Sequence, residues 1–361
     1  MSAFSTNVGE KFAAKVVKIF YETAVTPQIT NDEYEGQIKG GGADRLNVLS
    51  LTAPDLTDYT GADLTVNDLS ESEGTLIVDQ KKAFYFRIKS WDKFKSYCED
   101  PKDDAMDQEA GKLQEAIDSF ILGLHGDVAA GQRIGTSYTT GTVAVAATTG
   151  VVTGSGTTFT SGMVGKGFKA DGHTYWYRIK TYTSATQITI EDDLDDETSA
   201  YTGGAISSGA SYEIQANTCV TVTKSNIYDY IVDLKTYLNK AKVPKTNRWL
   251  VVNAEIMALI EKSDQLIHAT TSGDEVIKNG FQGRIAGFDL YENQEVDGDS
   301  TNGWHILAGH KSAITFAHAF TETGIEDLQG NFGKAYKGLN CYGAKVIDRR
   351  RSALAELFCK V

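Results

Sequence analysis

Residues 103–131 read DDAMDQEAGKLQEAIDSFILGLHGDVAAG. Apolar side chains recur at Met106, Ala110, Leu113, Ile117, Phe120, Ile121, Leu124 and Val128. Steps of three and four put them on one stripe of an α-helix. Asp103 or Asp104 suits its start, because a short carboxylate accepts first-turn N–H groups and complements the positive end of the dipole. Gly131 suits its end, and no proline interrupts it. At 1.5 Å per residue the spacing predicts a helix roughly 40 Å long, well above the usual length. One such helix between unlike segments reads as a spine, with its stripe from Met106 to Val128 as the surface on which neighbouring strands pack.

On the N-terminal side, NVGEKFAAKVVKIFYETA (7–24) suits a helix with Phe12, Val16, Ile19 and Phe20 on one side, ended by Pro27. Gly40–Gly42 is a hinge or wide turn, and alternation at Leu46, Val48 and Leu51 predicts a strand. Residues 52–75 are acidic and turn-rich, and no core can be built from them. LIVDQKKAFYFRIKSW (76–91) returns as one strong strand, with Phe84, Phe86 and Ile88 on one face and Tyr85, Arg87 and Lys89 on the other. Two strands with a long acidic tip make a projecting β-hairpin.

On the C-terminal side the composition changes near Gly135. To about Gln215 the chain is rich in Thr, Gly, Val and Ser, and short β runs alternate with turns. That pattern predicts a small all-β barrel or sandwich inserted into a host. Helical spacing resumes at Ser225, where Ser225 or Asn226 suits a cap and Ile227, Tyr230, Ile231, Leu234 and Leu238 point inward. RWLVVN reads as a buried strand, AEIMALIEK as a helix and NGFQGRIAGFDLYEN as a glycine-turned hairpin.

The 361 residues suffice for two or three domains. The net charge of −13 gives no global attraction to nucleic acid or anionic membrane. No apolar run reaches the roughly 18 residues of a membrane span. The start, MSAFSTNVGEKFAAKV, lacks a secretion signal, so cytoplasmic synthesis is the default expectation. Cys98, Cys219, Cys341 and Cys359 form no C-x-x-C pair, which argues for scattered thiols over a disulfide framework or zinc site.

No catalytic grouping survives inspection. Gly154-Ser155-Gly156 opens no helix, and MVGKGF lacks the phosphate-loop spacing around Lys166. His305 and His310, five apart in a strand-like run, fall on opposite faces and read as core or surface histidines. The run Glu191–Glu197 lacks the glycine and distant glutamate of a calcium loop and reads as a solvated acidic turn. Neither a cofactor, a metal nor an enzyme activity is expected. The basic run Arg349, Arg350, Arg351 suits ion pairs with acidic loops of a neighbouring copy: Asp55, Asp58 beside Tyr59, Glu71 and Glu73. Tyr175, Trp176 and Tyr177 are consecutive on a strand, so at least one must meet a surface or partner.

The order of these segments resembles the major capsid proteins of tailed double-stranded DNA bacteriophages, with the Hong Kong 97-type fold. NDEYEGQI (31–38) resembles the stretch leading into that family's extended loop, and Asp79–Phe86 its returning strand. Lys242–Asn253 resembles the approach to the buried axial strand, and Ile306–Ala317 and Gly338–Ile347 the last strands. The resemblance covers residues from about 8 to 134 and 217 to 361. It implies an α+β architecture: an N-terminal arm (1–43), an extended loop (44–90), a peripheral domain with the spine (91–135), an axial domain (217–337) and a return to the peripheral domain (338–361). The β segment 136–216 is an insertion resembling small modules of phage structural proteins.

The resemblance also implies a function. Copies would form hexamers and pentamers of an icosahedral head around double-stranded DNA, assembled in the bacterial cytoplasm with a portal, a separate scaffolding protein and decoration proteins, and touching packaged DNA only weakly. Two other classes remain open at this point: an encapsulin-type compartment shell, and a phage tail or baseplate protein.

Overall fold

The computed structural model describes residues 24–34, 45–51, 71–89, 101–192, 200–263, 283–328 and 332–361. The expected helix over 7–24, the Gly40–Gly42 turn, the loop tip with Asp55, Asp58 and Tyr59, Cys98 and most of Glu191–Glu197 lie outside these residues.

Pro27 sits in the first turn of α1 (Thr26–Ile29), where its missing N–H costs nothing because no acceptor exists there. The spine, α2, runs Pro101–Leu122 and gives way to a 3-10 turn over Gly123–Asp127. It is therefore shorter than the sequence predicts, about 33 Å at 1.5 Å per residue. Two causes act together. Gly123 and Gly126 are poor helix formers, and Arg133 draws the carbonyls of Gly126 and Val128 onto its Nη2, at 2.8 and 2.9 Å. Gly131 has another task than stopping the helix: at φ +90 its bare backbone lies under Trp176, whose ring a Cβ would meet at 2.5 Å.

The stripe packs at one end only. Ile121 and Leu122 are buried, and Ile117, Phe120 and Leu124 lie against the main core. Further toward the N-terminus, Leu113 and Ala116 line a groove of about 200 Å³ together with Phe84 and Leu339.

Two larger sheets build the host. The first has the strand order Thr30–Asn31, Ile314–Asp327, Gly333–Val346, Gln80–Lys89. Phe84 and Phe86 share a face of its edge strand as expected, and Phe86 stacks on Tyr336 at 5.4 Å. The second has the order Val220–Thr221, Leu354–Lys360, Gly303–His310, Arg248–Val252, Phe288–Glu292, Arg284–Ile285. Helices α3 (Ile227–Lys240) and α4 (Ala254–Glu261) share its core. All five residues of Arg248–Val252 are buried, as the apolar run requires of an interior strand. Asn253 caps α4 by accepting from Ile256 N at 3.1 Å, whereas Asn226 turns its side chain back to Thr223 N and Thr221 O instead of capping α3.

One expectation about the strands needs correction. The segment 76–91 is not one strand. It breaks at Val78–Asp79, so that Glu71–Ile77 pairs with Arg45–Leu51 as the hairpin base while Gln80–Lys89 joins the first sheet. Ile314–Asp327 lies in the first sheet, and Leu354–Lys360 lies inside the second. Four of the first five residues of LAELFCK are buried outright together with Cys359, the pattern of an interior strand.

The break at Val78 depends on a close approach. A Cβ on Gly343 would lie 2.2 Å from Ile77 O and 2.9 Å from Val78 Cα. Both are backbone atoms, so no side chain can swing aside. Gly343→Ala is expected to lower unfolding free energy by about 2 kcal/mol, read from chemical denaturation, and an unchanged midpoint would contradict this packing.

Residues 136–218 form an eight-stranded sheet ordered Ile206–Ala210, Thr142–Val145, Val151–Ser155, Gln187–Asp192, Tyr177–Ser184, Gly167–Ala170, Tyr212–Thr218, Thr136–Tyr138. The chain passes from the first of these strands to the seventh across Ser211 alone, so the sheet must curl until its ends approach. It encloses its own core around Phe168, Ile179, Ile188 and Ile214. Its two ends hang from one edge of one host strand: Arg133–Ile134 pairs with Glu356–Leu357, and Val220–Thr221 with Cys359–Lys360.

Candidate assembly surfaces and the buried junction

The hanging point of the β unit is also where charge is buried. Glu356 stands in an apolar strand with 1% of its surface exposed. Arg133, on the paired strand, brings Nη1 to 3.0 Å from its Oε2. His305, across the sheet, places Nδ1 at 2.5 Å from Oε1. His125, from the turn after α2, places Nδ1 at 3.6 Å from Oε1 and Nε2 at 2.8 Å from Asp297 Oδ2. The rings of His125, His305 and Phe358 form one stack, with centroids 3.8 and 4.2 Å apart. The neighbouring cation and hydrogen bonds hold the Glu356 carboxyl well below the usual range despite its burial. Beside it, burial pushes the Cys359 thiol up to about 12.

His125, His305 and Glu356 offer the donor set of a metal site, the one such grouping among the described residues. The ring geometry does not suit a shared ion. A metal lies in the plane of each imidazole that binds it, about 2.0–2.1 Å from the nitrogen. These rings are stacked at 14°, so their planes do not meet within bonding distance. Arg133 already supplies the cation.

A second buried carboxylate fixes the spine. Asp118 is 4% exposed. Its Oδ2 accepts from Val25 N at 3.0 Å and Asn293 Nδ2 at 2.8 Å, and its Oδ1 from Thr26 N at 3.1 Å and the Thr26 hydroxyl at 2.5 Å. One side chain on α2 thus holds the first turn of α1 and the segment after Phe288–Glu292.

The residues singled out in the sequence separate. In 175–177, Tyr175 is 72% exposed, while Tyr177 is buried. Trp176 covers Gly131 and receives Lys169 Nζ at 6.0 Å from its ring, so it closes the seam between β unit and host. Arg350 engages its own chain: it donates to the Ser312 carbonyl at 3.0 Å and approaches Glu33 at 3.3 Å. Arg351 is buried, and Arg349 lies in the 3-10 turn Asp348–Ala353. Glu71 and Glu73 pair through their backbones with Leu51 and Leu49 in the hairpin base. Glu191 pairs with Lys180 at 2.9 Å, and Asp192 accepts from Thr202. Sequence reasoning missed His125, Asp118 and Arg133 because their partners are distant in the chain. One signal was present: a glutamate in the otherwise apolar run LAELF.

The β unit contains a histidine locked neutral. Ala170 N donates to His173 Nδ1, so the ring proton is on Nε2, which donates to Tyr201 OH at 2.8 Å, and that hydroxyl donates to Gly204 O. Burial, then Lys169, lowers the His173 pKa. A histidine lowered in the folded state contributes stability that is complete above the unfolded value of about 6.5 and is lost as pH falls through the folded one. The β unit is therefore expected to melt earlier below about pH 6. Comparison of melting curves with His173→Asn should show this acid sensitivity removed, and equal acid sensitivity in both would contradict it.

No helix among the described residues is long and apolar enough to cross a membrane. No protein-family model and no curated protein matches the sequence. Solved structures do match over nearly the whole chain. A chain from Mycobacterium phage Che8 is 18% identical with a TM-score of 0.65, covering 98% of each chain. The capsid structure of the cyanophage P-SCSP1u gives 11% and 0.59, covering 98% of this chain and 93% of that one. The mature capsid of bacteriophage PhiM1 gives 10% and 0.56, covering 97% and 91%. The chain has the α+β fold of these phage capsid structures.

Proposed function

We propose that this chain is the major capsid protein of a tailed double-stranded DNA bacteriophage, self-assembling as hexamers and pentamers into an icosahedral head. The observation that carries the reading is the extent of the likeness: it runs across 98% of both chains in the Che8 comparison and so includes the spine, both host sheets and the β unit. The function is mechanical. Heterologous contacts between copies close into rings. The negative charge suits an inner wall that does not grip DNA. Portal, scaffolding and decoration proteins are the further partners of this reading, and the virion its location. An encapsulin-type compartment or a tail protein would share some of these features, and no observation favours either.

Asp55, Asp58, Tyr59, Glu71, Glu73 and Arg349 are the candidates for contacts between copies. Arg350 and Arg351 belong to the same group, but for Arg350 a neighbour would have to compete with Glu33 and the Ser312 carbonyl. Residues 136–216 are read as an inserted domain, supported by their separate core and the adjacent points of exit and return. Its exposed Tyr175 is the candidate outward contact. Replacing 137–214 with a short linker tests the insertion: shells that lose size control or stability support a bridging role, and unchanged shells refute it. Electron microscopy of the purified full chain tests the main reading. Closed icosahedral particles support it; tubes or persistent small oligomers overturn it. Nucleic acid in native particles separates a virus from a compartment.

A further inference from the structure

We propose that His125 is a proton-operated clasp between the end of the spine and the second sheet, closed when its ring carries two protons and open when it carries one. The inference stands on the geometry of the junction and does not depend on the capsid reading.

The two ring nitrogens face two carboxylates from different parts of the chain. Nε2 is 2.8 Å from Asp297 Oδ2, and Nδ1 is 3.6 Å from Glu356 Oε1. Nδ1 is buried and makes no hydrogen bond. With a single proton the ring donates from Nε2 to Asp297 and turns a lone pair toward Glu356, so two acceptors oppose each other. A second proton turns that contact into a charge-assisted one and brackets the imidazolium between two carboxylates. His305 does not take this role: its Nδ1 already donates to Glu356, and its ring is the middle plate of the stack.

The surrounding charges leave room for one more cation. Glu356 is met by Arg133 at 3.0 Å. Asp297, on the segment before Gly298–Asp299, is partly exposed. Asp127, on the same turn as His125, lies 3.9 Å from Arg178 of the β unit. Lys166 of the β unit also feels Glu356, but burial lowers its ammonium, and its Nζ donates to Asn217 O. Burial by itself would keep the His125 ring neutral, yet Glu356 and Asp297 outweigh it and raise its pKa above the usual value. A raised histidine stabilises fully below the unfolded value of about 6.5, and the contribution is lost as pH rises through the folded value. Acid therefore closes the clasp and alkali opens it, the reverse of His173.

The turn at 123–127 joins the spine to the strand that enters the β unit, so loosening it frees that entry point locally. Hydrogen exchange by mass spectrometry on the full chain, at about pH 5.5 and 8.5 and normalised to intrinsic rates, reads this directly. Residues 123–130 are expected to exchange about tenfold slower at the lower pH. His125→Gln should abolish the difference. Asp297→Asn, a change at a partly exposed position, should move its midpoint to lower pH, and it decides the matter if His125→Gln does not fold. Equal normalised exchange at both pH values, a pH dependence that survives His125→Gln, or an unmoved midpoint in Asp297→Asn would each overturn the proposal.

Discussion

Asp118→Ala is expected to destabilise the chain by about 4 kcal/mol, because it strands buried donors that nothing else can reach. Four hydrogen bonds converge on this carboxylate: two backbone N–H groups of Val25 and Thr26, the Thr26 hydroxyl and the Asn293 amide. Bonds to a charged group contribute about 1.5–3 kcal/mol each, and an unpaired buried donor costs about 1–3. The sum overshoots, since water and repacking recover part. Asp118→Asn should recover little, because an amide offers one acceptor atom where the carboxylate offers two, and it adds donors beside donors. The loss should be local as well as global: α1 and the Asn293 segment should lose exchange protection before the β unit does. Denaturant midpoints with a shift below about 1 kcal/mol would show that the network is dispensable.

Arg133→Met is expected to cost a similar amount, about 3–5 kcal/mol at neutral pH, since it leaves the Glu356 carboxylate buried with only histidines beside it. It also removes the donors to Gly126 O and Val128 O in the segment after the spine. The pH dependence identifies the cause. In the wild type the Glu356 carboxyl is held low, so its contribution is present above the usual carboxylate value and lost as pH falls through the folded one. Without Arg133 that depression is smaller, and the variant loses less on acidification. The stability gap should therefore narrow below about pH 5. Adding Glu356→Gln to Arg133→Met should restore part of the loss, as removal of both partners of a buried pair does. A gap independent of pH together with strictly additive losses would mean that packing, and not charge, is what Arg133 supplies.

How far the sequence could be read depended on the range of the interactions. Local patterns read well. The stripe of α3, the apolar run Trp249–Val252 and the positive-φ turn at Ala286 and Gly287 are each set by residues within a few positions. The same holds for the alternation of Phe84 and Phe86 against Tyr85. Elements bent by distant partners read poorly. The spine gives way early partly because Arg133 takes the carbonyls of Gly126 and Val128 just beyond it, and nothing in 103–131 announces that. The strand at 76–91 breaks where Gly343 lets another backbone in. The short helix that begins around Pro27 was not legible, because Asp118, far along the chain, supplies the acceptor for its first N–H groups. The buried junction was the least legible feature. His125, Arg133, His305 and Glu356 come from separate segments: sheet register joins the last three, and the turn after the spine adds His125.

An icosahedral reconstruction of particles formed by the full chain tests the central claim most directly. The expected result is a closed shell in which the fold repeats in five- and six-membered rings. A helical tube, or a particle whose subunits touch without closing into rings, would contradict it.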